Sequence, residues 1–211
     1  MPRGVEAFIT IAFFLLFLPV LVIISLIILF FGGGWPILFK QRRVGKNGNI
    51  FDLFKFRTMY PGAEDDQEKY RHLNEADGPV FKIKNDPRYT RIGRFLAHTG
   101  LDELPQLINI IRGEMSIVGP RPLPVKEAST LEDWQKKREK AKPGIISPWL
   151  FNGYHDSSFD KWMNLDIDYV NTSNFVYDLK LILRGIRLAG GLIKREIISL
   201  ILDKGNQNGL S

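Results

Sequence analysis

Two carboxylates stand side by side at Asp102 and Glu103, inside Leu101-Asp102-Glu103-Leu104-Pro105-Gln106-Leu107. Leu104, Leu107, Ile108 and Ile111 follow at helical spacing and Gly113 marks a stop, so the pair is expected in the first turn of a helix capped by Thr99 or Asp102. Neighbours on a helix point about 100° apart, which suits separate jobs, a nucleophile and a metal ligand, better than a shared proton. The positive end of the helix keeps a carboxylate ionised and also attracts a phosphate. Two anions meeting there need a cation between them, and Mg²⁺ held by one or two carboxylates plus phosphate oxygens is the usual solution. The plainer alternative is a pair of acidic residues that only complements the helix dipole.

Gly119-Pro120-Arg121-Pro122 sets an arginine between two prolines, which stiffens the backbone and presents a planar fork suited to a phosphate; prolines also simply make turns. Residues 50–57 alternate as a strand, with Lys55 and Arg57 on one parity, so both should aim the same way, as cations of the same cleft or as surface charges. Other chemistry is poorly supported. The chain has no cysteine, which excludes disulfides, thiolate metal sites and cysteine nucleophiles. Gly45-Lys46-Asn47 lacks the spacing of a P-loop, and no G-x-G-x-x-G follows a strand. His72, His98 and His155 are scattered without metal-ligand spacing, so no zinc site is expected.

The elements that must position these groups begin with an apolar run. Residues 7–31 carry no charge, and as a helix they reach about 37 Å, beyond the ~30 Å hydrocarbon core of a bilayer. The run is longer than a signal peptide's apolar region and lacks a small-residue cleavage site. Arg3 precedes it and Lys40, Arg42, Arg43 and Lys46 follow, so both flanks favour the cytoplasm. Pro19 in its middle predicts a bend. A bent hairpin entering and leaving one face and a tilted span with a tolerated proline both fit. Gly32-Gly33-Gly34 and Pro36 then break the helix before a short extended segment at 37–39 and a tight turn at 45–49.

Further along, 61–73 is charge-rich and solvated, 80–84 alternates as a short strand, and 90–97 is expected as a helix with Ile92, Phe95 and Leu96 inward. Lys180, Arg184, Arg187, Lys194 and Arg195 recur against Ile182, Leu183, Ile186, Ala189, Ile193 and Ile197, a basic amphipathic helix with a candidate break at Gly190-Gly191. Such a helix lies in a membrane interface or packs on a core with its basic face in water, and beside an apolar anchor the interface is favoured. The 211 residues suit one domain plus an appendage, and the net charge of +6 suits an anionic partner: lipid headgroups, nucleotide phosphates or nucleic acid.

Taken in order, Gln41-Arg42-Arg43-Val44-Gly45-Lys46-Asn47-Gly48, Lys55-Phe56-Arg57-Thr58-Met59, Asp77-Gly78-Pro79-Val80-Phe81-Lys82, Asn85-Asp86-Pro87-Arg88, Gly93-Arg94-Phe95-Leu96, the Asp102-Glu103 stretch, Gly113-Glu114-Met115-Ser116 and Val118-Gly119-Pro120-Arg121-Pro122 carry a resemblance. The chain resembles the bacterial sugar transferases, the monotopic phosphoglycosyl transferases, and among them the catalytic domain of exopolysaccharide glycosylphosphotransferases. The resemblance implies a re-entrant helix bent at Pro19 with the globular part on the cytoplasmic face of the bacterial inner membrane. It implies that Asp102 attacks the β-phosphate of a UDP-sugar, that Glu103 helps hold Mg²⁺, that UMP leaves, and that polyprenyl phosphate, usually undecaprenyl phosphate, takes the phospho-sugar from the aspartate. Arg121 is then expected at the phosphates, with Gly119, Pro120 and Pro122 shaping its loop and Lys55 and Arg57 adding charge.

Departures from the family pattern fall at Ala97, where an arginine is usual, at Gly100, where a serine is usual, at Ser147-Pro148 in place of Gly-Leu, and at Tyr154, where an arginine usually follows glycine. The loop with Asn152 and Tyr154, together with Asp166, is expected to help recognise the nucleotide-sugar. The combined expectation is an α/β domain, helix-rich with a small sheet. Residues 1–36 form the membrane helix, 37–203 the catalytic domain with interfacial helices, and 204–211 a polar tail. A homo-oligomer is compatible with the sequence. The alternatives are a non-catalytic scaffold of a polysaccharide assembly complex and a membrane-tethered nucleic-acid binder; the intact Asp102, Glu103 and Arg121 speak against the first, and the lack of an aromatic-basic strand motif against the second.

Overall fold

The structure, a computed structural model, describes residues 3–32, 34–151 and 158–208. The apolar run forms α1 (Arg3–Phe31), assigned as one helix with Pro19 inside it. It is the one helix among the described residues long and apolar enough to cross a membrane, over Phe8–Phe31. Both of its ends rest on the remainder of the protein. Near the start, the buried Glu6 carboxylate accepts from Ser116 Oγ and, at 3.0 Å, from the Ile117 amide. Toward the end, Leu21, Ile24 and Ile28 pack with Phe56 and Leu96. Residues 11–20, between these docking points, are mostly exposed.

The chain then makes an antiparallel hairpin, β1 (Leu38–Val44) with β2 (Ile50–Phe56), in register from Leu38 opposite Phe56 to Val44 opposite Ile50. Its turn is the predicted one, and Asn47 and Gly48 supply the left-handed backbone it needs, at φ 56° and 78°. Phe51 and Leu53 on one face of β2 bury against Ile110 and Met115. Phe56 on the opposite parity buries against α1, so the strand end is covered on both faces. Asn109, fully buried, ties the strand to the next helix: its Oδ1 accepts from the Phe54 amide at 3.1 Å and its Nδ2 donates to the Asp52 carbonyl at 2.7 Å. A side-chain amide thus takes the place of a third strand along β2.

The expected helix near 90–97 is α2 (Arg91–Thr99), capped by Thr90, whose Oγ1 accepts from the Gly93 amide at 2.9 Å. A Cβ on Gly93 would lie 1.7 Å from the Thr58 carbonyl oxygen, so glycine is what lets α2 lie against the segment leaving β2. Two expectations are corrected here. The acidic pair lies in a 3-10 helix, Leu101–Gln106, that leads into the short α3 (Leu107–Ile111), and neither Thr99 nor Asp102 caps it. Thr99 Oγ1 instead donates back to the Phe95 and Leu96 carbonyls, and Gly100, at φ 74°, makes the junction by backbone conformation alone. Residues 80–84 are not a strand: the Asn74 side chain captures that backbone, accepting from the Lys82 amide at 2.7 Å and donating to the Val80 carbonyl at 3.1 Å.

β3 (Ser116–Val118) pairs in parallel with β4 (Gly144–Ile146), and α4 (Val125–Ala128) lies between them in sequence. α5 (Phe159–Thr172) buries Phe159, Trp162, Met163, Asp166 and Tyr169 as a helical stripe; the first three pack against Leu123, Leu131 and Trp149, and Tyr169 packs with Val118 and Leu181. α6 (Phe175–Asn208) runs unbroken through Gly190-Gly191, where the sequence suggested a break; nothing lies within 4 Å of a Cβ built on either glycine. Among the described residues the architecture is helix-rich with two small two-stranded sheets.

Candidate active site

β2 ends with Lys55 on the same parity as Leu53, and the Asn109 tie holds the 3-10 turn across from it. Lys55 Nζ therefore meets both acidic residues, 2.8 Å from Glu103 Oε1 and 3.5 Å from Asp102 Oδ2. Arg121 Nη1 reaches the same Glu103 oxygen at 3.3 Å. Four side chains from three parts of the sequence thus form one compact set of two anions and two cations. Burial pushes Asp102 up to about 6, against the pull of Lys55. Burial pushes Glu103 the same way, but Lys55 and Arg121 together outweigh it and hold that carboxylate well below the usual range. Neighbouring carboxylates driven apart in this fashion take different roles.

The Arg121 loop is held carbonyl by carbonyl. Pro120 O accepts from the Gly144 amide at 3.0 Å, Arg121 O from Arg138 Nη2, and Pro122 O from Arg43 Nη1 at 2.7 Å. Gly119 has a packing reason for its identity: a Cβ there would lie 2.3 Å from the Lys142 carbonyl oxygen, where the loop crosses β4. Arg138 is itself fixed by Asp166, with Nε at 3.0 Å and Nη2 at 2.6 Å from Oδ2. The prolines stiffen the loop, but three hydrogen bonds from β4, the 3-10 helix Gln135–Lys140 and β1 give Arg121 its place.

A cavity of about 1390 Å³ opens beside the set, lined by Asp102, Lys55, Arg43, Arg57 and, at its far side, Leu21 and Ser25 of α1 with Trp35 and Pro36. Glu103 and Arg121 stand outside this lining. Of the expected site residues, Lys55, Asp102, Glu103 and Arg121 converge. Arg57 lines the same cavity as Lys55 and Asp102, while its guanidinium turns to the end of α1, where Nη2 donates to the Gly32 and Gly34 carbonyls. One expectation is corrected: Asp166 is fully buried in α5, where Arg138 engages it, and it is not among the residues that line the cavity. Asn152 and Tyr154 lie outside the described residues.

Sequence reasoning missed Arg43, Arg138, Asn109 and Lys82. Burial and then the Arg121 charge push Lys82 down to about 7, and its Nζ lies 6.0 Å from the Trp149 ring centre. Arg43 is pushed down to about 10 by burial and by Arg121. Arg43 reads in the sequence as one of several cations flanking the membrane run, and nothing in the sequence sets Arg138 apart from its basic neighbours. Among the described residues there is no group of three or more histidine, cysteine, aspartate or glutamate side chains that could hold a metal ion.

The bacterial sugar transferase family profile matches residues 1–190. The galactosyl transferase CpsE of Streptococcus agalactiae serotype III (strain NEM316) is 40% identical over 156 residues, 74% of this chain and 35% of that protein. The exopolysaccharide production protein ExoY of Rhizobium meliloti (strain 1021) is 36% identical over 176 residues, 82% of this chain and 77% of that protein. The UDP-glucose:undecaprenyl-phosphate glucose-1-phosphate transferase of Escherichia coli (strain K12) is 35% identical over 177 residues, 80% of this chain and 35% of that protein. The chain therefore spans about a third of the first and last of these relatives and most of ExoY. With the profile running through the acidic pair, the Gly-Pro-Arg-Pro loop and the apolar helix alike, the chain belongs to the bacterial sugar transferase family.

Proposed function

We propose that this protein transfers a sugar-1-phosphate from a UDP-sugar to polyprenyl phosphate, with Asp102 as the nucleophile. The observation that carries the reading is the convergence of Lys55 and Arg121 on Asp102 and Glu103, at a cavity that reaches the apolar helix. Asp102 attacks the β-phosphorus, the bond from that phosphorus to the UMP oxygen breaks, and UMP departs. An oxygen of the acceptor phosphate then attacks the same phosphorus and returns Asp102 as a carboxylate. Dividing the transfer lets one site serve a soluble donor and a lipid acceptor in turn. Burial leaves Asp102 poorly solvated, which strengthens it as a nucleophile, while Lys55 keeps it ionised near neutral pH. Arg121 and Lys55 bind the phosphoryl oxygens and balance their charge. The relative named for UDP-glucose and undecaprenyl phosphate supports the same pair of substrates.

Mg²⁺ fits the donor set. Lys55 and Arg121 both contact Glu103 Oε1, and Glu103 Oε2 and Asp102 Oδ1 have no hydrogen-bond partner among the described residues. Two hard oxygens supplemented by substrate phosphates make a usual Mg²⁺ site. When bound, the ion would polarise the phosphoryl oxygens.

The membrane arrangement belongs to the same proposal. A helix whose start and end both dock on one globular body, with its middle exposed, supports a re-entrant insertion from the cytoplasmic face of the bacterial inner membrane. Leu183, Ile186, Ile197 and Ile201 of α6 are all exposed beside Arg184, Arg187 and Lys194, which supports an interfacial helix. The test is UMP release from a panel of UDP-sugars with Mg²⁺ and undecaprenyl phosphate. Release from one donor, abolished in Asp102→Asn and Glu103→Gln, supports the reading; no release from any donor, with lipid binding intact, points to a scaffold.

A further inference from the structure

Arg57 is 93% buried, with only 7% of its surface exposed, yet most of its hydrogen-bonding capacity is unused. Nη2 serves the Gly32 and Gly34 carbonyls at the end of α1, while Nε and Nη1 are buried without a hydrogen-bond partner among the described residues. A guanidinium never sheds its charge, and buried N–H groups on a cation call for an anionic acceptor. The side chain lines the same cavity as Asp102. Its amide bonds the Ile37 carbonyl at 2.9 Å, so the extended backbone of β2 continues to this residue and sets its Cα about 6.6 Å beyond that of Lys55. Among the cations that line the cavity, Lys55 at the carboxylates and Arg57 at the helix end therefore stand one strand repeat apart.

The surroundings of the two stations differ. Lys55 is enclosed by charged groups. Arg57 meets the end of the apolar helix, where Phe30, Phe31 and Trp35 are each more than 70% exposed and Leu21, Trp35 and Pro36 form the cavity wall. Exposed aromatic residues at the end of an apolar helix suit the headgroup level of a bilayer. A ligand that satisfies both features carries a phosphate on a long apolar chain.

We propose that Arg57 is the station for the acceptor's phosphate. The lipid phosphate enters beside the end of α1, is caught by the free N–H groups of Arg57, and passes along the cavity to Asp102, while Lys55 and Arg121 hold the donor's phosphates. There, an acceptor phosphate oxygen forms a bond to the phosphorus carried by Asp102 as the bond from that phosphorus to the Asp102 oxygen breaks. The inference rests on the transfer reading above, and assigns each phosphate of that reaction its own cation.

The experiment uses the full chain in nanodiscs, with Arg57→Gln and Arg57→Lys beside the wild type. Initial rates are measured against undecaprenyl phosphate and against the UDP-sugar separately, and undecaprenyl phosphate binding is measured directly without any UDP-sugar. Arg57→Gln should raise the KM for the lipid at least tenfold while moving the KM for the donor less than threefold. Direct binding should weaken at least tenfold, Arg57→Lys should recover part of it, and neither inorganic phosphate nor phosphatidylglycerol should compete. Equal movement of both KM values, unaltered lipid binding, or lipid binding lost together with thermal stability and unrecovered by lysine would each overturn the proposal. If the wild type releases UMP from no donor, the transfer reading fails by itself, and the binding measurement still decides whether Arg57 holds a lipid phosphate.

Discussion

Arg138 and Asp166 form an ion pair with 4% and 0% exposure, and Arg138 alone connects that pair to the backbone of Arg121. Asp166→Asn leaves the guanidinium charged, buried and uncompensated, at a cost of about 3–5 kcal/mol. For a chain of this length that corresponds to a fall in Tm of about 6–20 °C. Arg138→Met should cost less, because burial pushes the Asp166 carboxyl up and, without its partner, it can take a proton and become neutral. Its loss is then that of the hydrogen bonds, about 1–3 kcal/mol. In the double variant no charge is left behind, so its loss should fall about 2 kcal/mol or more short of the sum of the singles. Activity should respond in the opposite order. Arg138→Met frees the Arg121 carbonyl, and a displacement of that arginine by about 1 Å reduces the rate of phosphoryl transfer by up to ~100-fold even where the fold survives. Thermal melts of the three variants and single-turnover UMP release check both halves. Additive stabilities, or a folded Arg138→Met variant with the wild-type rate, would refute the chain of reasoning from Asp166 to Arg121.

In the proposed reaction Asp102 must be ionised to attack, and its pKa is raised, so the single-turnover rate should fall tenfold per pH unit below about 6; a rate that stays flat to pH 5 contradicts this. A folded-state pKa above the unfolded value means that the ionised form is costlier in the fold, so Asp102→Asn should melt above the wild type at pH 7.5, and this difference should shrink as pH falls below 6. Asn109→Ala leaves the Phe54 amide and the Asp52 carbonyl without their partner; a loss of about 2–4 kcal/mol is expected in denaturant melts, with UMP release reduced because Lys55 and the acidic turn are no longer tied together. Glu6→Leu should release the start of α1, so that a Gly4→Cys residue becomes reactive to an impermeant maleimide applied to intact cells; persistent protection would contradict the docking of both helix ends.

Local rules sufficed where a residue's environment comes from its own neighbours in the chain. Lys55 was legible because strand parity carries it to the face of Leu53, and Asp102 and Glu103 because a turn start follows from the apolar spacing behind them. Arg57 reaches the cavity that its parity predicts, but the orientation of its guanidinium is set by contact with a helix more than twenty residues earlier, which no local rule supplies. The alternation at 80–84 is real, but Asn74 claims the backbone bonds that a strand partner would have needed. Asp166 and Arg138 were opaque for a different reason: they are 28 residues apart, and nothing in either segment announces that a charge is buried there. The family pattern pointed to Asp166, and only the packing reveals that Arg138 holds it away from the cavity.

The Glu6 clasp also sets a schedule for making the protein. Its partner Ser116 lies 110 residues further along the chain, so at roughly 5–20 residues per second a ribosome takes roughly 5–20 s to supply it. Throughout that interval the apolar helix exists without the surface that receives its first turn, and its exposed residues need another host. The membrane-docked arrangement proposed above gives the bilayer that duty from the first seconds of synthesis. The catalytic body is then assembled onto a helix already in place, and translation too slow or too fast for that order should show itself as loss of protein from the membrane before it shows as loss of activity.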